Sequence, residues 1–109
     1  MKTVDILAFG AHPDDVELGC AGSISLSRSQ GKSIAIIDLT QGELSTRGTV
    51  ETRKKESQEA AKILGVNHRE NMNFRDGFFQ NDESHQLALI TKIRSYRPQI
   101  VLCTATHDR

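Results

Sequence analysis

Net charge is missing from this sequence: its 109 residues carry 14 Lys plus Arg against 14 Asp plus Glu. Non-specific nucleic-acid binding draws on a basic excess, so the balance argues against that partner class while leaving room for a small basic pocket. Long apolar runs are missing too, and no stretch approaches the roughly 18 residues a membrane span needs. The opening Met1-Lys2-Thr3-Val4-Asp5 has neither the apolar stretch nor the small-residue cleavage site of a signal peptide. Cysteine is scarce: Cys20 and Cys103 stand alone in apolar contexts. That suits buried free thiols better than a disulfide framework or a Cys-type zinc site. Repeats, low-complexity tracts and linkers are also absent. These absences predict a soluble cytoplasmic protein of one domain, with no nucleic-acid and no membrane partner.

What is present is an alternation. Val4-Asp5-Ile6-Leu7-Ala8-Phe9 is a short apolar run ending at Gly10, which suits a buried strand. Val16, Cys20, Ala21 and Ile24 then fall at helical spacing, with Gly31 as a stop. Ser33 to Leu39 reads as a second buried strand, followed by a polar loop from Thr40 through Gly48. Thr49 is a good N-cap for a helix running to about Leu64 and ended by Gly65. A weak strand is expected near His68 to Phe74. Ser84 is the expected cap of a third helix with the stripe Leu89, Ile90, Ile93 and Tyr96, stopped by Pro98. Ile100 to Thr104 is the last strand. Strands alternating with helices predict an α/β fold, a Rossmann-like parallel sheet flanked by helices. Its ligand site belongs at the carboxyl ends of the strands.

The chemistry-bearing segment is Ala11-His12-Pro13-Asp14-Asp15, between the first strand and the first helix. Imidazole and carboxylate are good zinc donors, and a catalytic zinc site takes three protein ligands plus an open position. His12 and Asp15 can point into one crevice across the turn, leaving Asp14 between them to accept a proton. Pro13 restricts the turn. The plainer reading is that Asp14 and Asp15 cap the helix and complement its dipole.

Ala11 to Gly22 (Ala-His-Pro-Asp-Asp-Val-Glu-Leu-Gly-Cys-Ala-Gly) resembles the signature of the LmbE-like, or PIG-L-like, zinc-dependent N-deacetylases. Asp38 through Thr49 and Arg53-Lys54-Lys55-Glu56 continue the pattern, and the resemblance covers essentially the whole chain. It is most similar to the bacillithiol-biosynthesis branch, which hydrolyses the acetamide of N-acetylglucosaminyl-malate. The resemblance implies that His12 and Asp15 are zinc ligands and Asp14 the general base. It also implies that Arg53 meets the acidic aglycone and that Arg109 lines the pocket. A third zinc ligand is expected in a His-Pro-Asp-His motif just past Arg109, so these residues alone are expected to hold metal weakly and to be inactive. Iron(II) is an alternative to zinc. The implied partners are a small-molecule amino-sugar conjugate and, in a homo-oligomer, further copies of the chain.

Arg53 can also be argued from its helix, where Arg53, Ser57, Ala60, Ala61 and Leu64 share an inward face. A cation in a first turn opposes the macrodipole by about 0.3–1 kcal/mol, so it needs an anion. Either a substrate carboxylate or Glu43 or Glu56 would serve, or the side chain reaches solvent. His107 is a candidate third ligand or a loop residue. Ser45 and Thr46 bind sugar hydroxyls or form turns, and His68 and His85 are read as exposed and without function. The chain stops at Thr106-His107-Asp108-Arg109, directly after a strand, where a complete domain would continue with a covering helix. Residues 1–109 are therefore expected to be the N-terminal part of a single deacetylase domain, incomplete at the C-terminus.

Two other classes compete. A receiver-type signalling module shares the acidic pair after the first strand, but needs a phospho-accepting aspartate after the third, for which Asp76 is the nearest candidate. It also needs a lysine after a later strand, and none follows the fourth. A nucleotide-binding domain needs a Gly-x-Gly-x-x-Gly turn where this sequence has His-Pro-Asp-Asp.

Overall fold

The computed structural model describes residues 3–46 and 48–104. In chain order the elements are β1 (Ile6–Gly10), α1 (Asp15–Ser29), β2 (Ile34–Thr40), α2 (Val50–Leu64), β3 (His68–Phe74), α3 (Glu83–Tyr96) and β4 (Ile100–Leu102). The strands form one parallel sheet in the order β3-β2-β1-β4. The chain thus steps outward from β1 through β2 to β3, then crosses to the other side of β1 for β4. β1 is the point of reversal, where open α/β sheets carry their ligands. A receiver instead orders its strands 2-1-3, so this sheet does not support that reading.

Strand period 2 assigns the apolar side chains to two cores. Ile6, Ala8, Ile34 and Ile36 face Val16 and Ile24 of α1, with Leu64 beside them. Leu7, Ala35 and Ile37 face Tyr96 of α3. β1 and β2 are covered on both faces, which explains their near-continuous apolar runs. Fully burying an Ile or Leu is worth about 1.5–3 kcal/mol, so these strands dominate the core. Among the described residues no helix is long and apolar enough to cross a membrane.

Local signals set most helix ends. Thr49 caps α2 by accepting from the Thr52 amide at 3.1 Å, and Gly65 ends it in the left-handed conformation. α3 begins earlier than expected: Asp82, not Ser84, is its cap, accepting from the His85 amide at 3.0 Å. Asp82 precedes the first helical residue and carries the charge that complements the dipole, whereas Ser84 is already inside the helix. α1 is not continuous; Cys20 breaks helical geometry, with poor helix formers Gly19 and Gly22 close by. The stripe of α3 is only partly used. Tyr96 is buried and donates to Glu70, but Ile90 and Ile93 remain 40% and 36% exposed. Cys20 and Cys103 are free thiols, yet Cys103 is exposed and Cys20 only half-buried. Cys103 follows β4, whose own Ile100 and Val101 are exposed at the sheet edge.

β3 has the bounds its sequence suggested, His68–Phe74, but is better anchored than a weak strand. Its Arg69 reaches under β2 and grips Asp38 with two bonds, Nε to Oδ2 and Nη2 to Oδ1, both 2.9 Å. Nη2 also donates to Glu17 Oε1 at 3.0 Å, and Nη1 to the Ser57 carbonyl at 3.3 Å. One guanidinium thereby joins β3, β2, α1 and α2. Burial pushes the Asp38 carboxyl up against the lowering pull of Arg69.

Two outcomes follow from these contacts. Arg69→Met leaves Asp38 buried without its partner and is expected to cost about 3–5 kcal/mol, read from the urea midpoint of the full-length protein. A loss under about 1 kcal/mol would contradict the role given to this ion pair. The bonds from the His85 ring and amide hold the Asp82 carboxyl down to about 2. Because the folded value is depressed, the cap's contribution is complete above the ordinary 3.8 and disappears as the pH falls to about 2. An NMR titration placing Asp82 at 3.8 or higher would refute this.

Candidate functional site

The site grows from the end of β1. Gly10 pairs with Asp38 of β2 and leaves little room for a side chain: a Cβ there would lie 3.0 Å from Val16 Cγ2 and 3.2 Å from Asp15 Cβ. This close approach turns the chain sharply into α1. The turn is held by the Asp14 and Asp15 amides, which donate to the His12 carbonyl at 2.8 and 3.1 Å. Pro13 is buried beneath it.

The capping reading of the two aspartates does not hold. Asp14 occupies the N-cap position but makes no side-chain cap bond. Asp15 instead turns back, its Oδ2 accepting from the His12 amide at 3.0 Å and lying 3.4 Å from His12 Nδ1. The imidazole and carboxylate expected to converge do so. Asp14 stays outside that pair with its side chain 52% exposed.

Arg53 projects from the first turn of α2 into the same cleft, and its side chain is 19% exposed. Its partner is neither Glu43 nor Glu56 but Asp14, with Nη2 3.7 Å from Oδ1. Glu43 is otherwise engaged, accepting from the Asp76 amide at 2.8 Å. Gly42, at φ 65°, passes directly over the guanidinium; a Cβ would sit 3.1 Å from Arg53 Cζ. The cleft of about 370 Å³ is lined by His12, Asp14, Arg53 and Asp76, with Leu44 and Ser45 from the loop after β2. A larger cleft of about 510 Å³ opens on the other side of Asp15, between α1 and β4.

Asp76 was not anticipated at this site. It lies past the end of β3, is 6% exposed, and its Oδ1 is 2.8 Å from His12 Nε2. Its Oδ2 accepts from the Leu44 amide at 3.0 Å. Burial pushes this carboxyl up, but the Leu44 amide, His12 and Arg53 outweigh burial and hold it below the ordinary range. The only sequence signal was an acid near a strand's carboxyl end, which by itself names no partner.

The remaining candidates separate cleanly. Ser45 donates its amide to the Gly42 carbonyl at 3.0 Å, forming a turn, and also lines the cleft. His68 packs on Tyr96 at 5.8 Å between ring centroids, and His85 packs edge-on to Phe74 at 4.5 Å. Both histidines are half-buried packing residues rather than exposed ones. His107 and Arg109 lie outside the described residues.

Zinc accepts imidazole nitrogen and carboxylate oxygen, so His12 and Asp15 fit two places of its donor set. Among the described residues no three His, Cys, Asp or Glu side chains come together as metal ligands. The described residues thus offer two such donors in contact, 3.4 Å apart.

A family model described as PIG-L, GlcNAc-PI de-N-acetylase, matches residues 7–109. The chain is 44% identical over 75 residues to the uncharacterized deacetylase YaiS of Escherichia coli, covering 69% of this chain and 40% of that protein. It is 31% identical over 104 residues to the diacetylchitobiose deacetylase of Thermococcus kodakarensis, covering 89% of this chain and 39% of the relative. The conserved protein TT1542 of Thermus thermophilus superposes with a TM-score of 0.93 at 40% identity, covering 98% of this chain and 49% of that one. The chain thus spans about two fifths of these curated relatives and half of that solved structure.

The contact of Gly42 with Arg53 is directly testable. Gly42→Ala puts a side chain in the left-handed region at a cost of about 1–2 kcal/mol. It is also expected to push the guanidinium away from Asp14 in a crystal structure of the variant. An unmoved Arg53 would show that the glycine does not set its position.

Proposed function

Because this chain belongs to the PIG-L family of GlcNAc-PI de-N-acetylases, we propose that the full-length protein hydrolyses the acetamide of an N-acetylglucosamine conjugate. The observation that carries the reading is the division of labour in one turn. His12 and Asp15 face each other at 3.4 Å, while Asp14 stays half-exposed beside them. His12 and Asp15 would hold zinc, or iron(II), with a third ligand expected from a residue beyond Arg109. Such a metal supplies Lewis-acid polarisation of the amide carbonyl when bound.

Asp14 is the general base. It accepts the proton of the attacking water and returns it to the amine nitrogen as the C–N bond breaks, so that acetate and a free amine leave. Arg53, 3.7 Å away, places a cation at the rim of the cleft, where it neutralises part of the charge on Asp14. Its fork also suits a carboxylate on the substrate. That favours an acidic aglycone, and N-acetylglucosaminyl-malate is the conjugate we assign, with Arg109 as a second contact. The diacetylchitobiose deacetylase relative supports the amino-sugar class. Residues 1–109 form the N-terminal part of the catalytic domain on this reading, and the family likeness suggests a homo-oligomer.

Asp14→Asn in the full-length protein is expected to lower turnover of N-acetylglucosaminyl-malate by about 10²–10⁴-fold. Its metal content by elemental analysis should stay unchanged. Wild-type-like turnover in the variant would remove Asp14 from the base role. A wild-type enzyme that deacetylates diacetylchitobiose but not the malate conjugate would overturn the substrate assignment alone.

A further inference from the structure

We infer that Asp76 is the positioning residue that selects which nitrogen of His12 faces the metal, holding the ring with Nε2–H on its carboxylate and the Nδ1 lone pair towards Asp15. This rests on the proposed metal role of His12 and Asp15. A neutral imidazole has one N–H and one lone pair, and an ionised carboxylate only accepts. With Nε2 at 2.8 Å from Asp76 Oδ1, the proton belongs on Nε2. The lone pair then lies on Nδ1, which is 3.4 Å from Asp15 Oδ2. Two Lewis bases directed at each other over that distance are an arrangement that a shared divalent cation stabilises. Metal-bound histidines commonly donate their other ring N–H to a carboxylate, which fixes the tautomer and raises ligand basicity.

The carboxylate is itself fixed. Asp76 is buried, its second oxygen is taken by the Leu44 amide, and its own amide donates to Glu43 Oε2. Neither oxygen is free to turn away from His12 without breaking a bond. The same contacts tie the loop 41–46 to the ring, so the residues that line the cleft and the residue that binds metal share one anchor.

The test uses the full-length protein with Zn²⁺ alone, titrated against a chelator, together with long-range ¹⁵N–¹H spectra of its histidine rings. The wild type should show His12 protonated at Nε2 and metal-bound through Nδ1. Asp76→Ala is expected to weaken Zn²⁺ binding about 10–100-fold and to mix the His12 tautomers in the metal-free protein. Asp76→Asn, which keeps an acceptor for Nε2–H, should recover most of the affinity. Glu43→Ala removes one of the two loop bonds to Asp76, leaves the contact with His12, and should keep both affinity and tautomer as in the wild type.

The inference is overturned if the wild type binds Zn²⁺ through Nε2. It is equally overturned if Asp76→Ala keeps both the tautomer and the affinity. Weakening by Glu43→Ala equal to that by Asp76→Ala, with the tautomer unchanged, would reduce Asp76 to a loop anchor and overturn it too. Failure of the underlying reading looks different: there the wild type binds no Zn²⁺, or His12→Ala and Asp15→Ala bind it as tightly as the wild type.

Discussion

The carboxyl edge of the sheet is organised by the buried contact between Arg69 and Asp38. Asp38 is the register partner of Gly10, the residue that launches the His12–Asp15 turn. Glu17, the second carboxylate on Arg69, sits in the first turn of α1, two residues past Asp15. The guanidinium therefore holds the end of β2, the start of α1 and the start of β3 together directly behind the turn. A carboxylate as buried as Asp38 is costly without a cation, so the pair constrains how these elements can shift relative to one another.

In front of that support the charges are arranged differently. Asp14, Asp15 and Asp76 crowd one mouth of the sheet, answered among the described contacts by His12 and Arg53. Each carboxylate has a distinct environment. Asp15 is folded back on the His12 backbone, Asp76 is buried and doubly bonded, and Asp14 is open to the cleft. Environment, more than residue type, thus separates the three carboxylates. Three aspartates gathered around His12 and Arg53 are electrostatically unfavourable unless positive charge joins them. The Arg53 guanidinium, 3.7 Å from Asp14, supplies part of that charge.

The loop after β2 connects these layers. Gly42 passes over Arg53, Leu44 gives its amide to Asp76, and Glu43 receives the amide of Asp76. Its polar, glycine-containing composition marked it as a loop. Its docking onto the turn after β3 makes it a wall of the cleft, so the cleft's shape and the orientation of the His12 ring depend on the same few hydrogen bonds.

The sequence alone determined the alternation of strands and helices, the Thr49 and Gly65 ends of α2, and the meeting of His12 with Asp15. All of these are local, set by side-chain periodicity, capping chemistry and a turn only a few residues long. Tertiary structure decided the rest. Asp76 reaches His12 across 64 positions of chain, and Arg69 reaches Asp38 across 31. Such pairings depend on β3 lying beside β2 and β4 on the far side of β1, an order no single segment encodes. The same reason left the exposure of Ile90, Ile93 and Cys103 illegible: an apolar residue signals that it can be covered, and only the assembled layers show whether anything covers it.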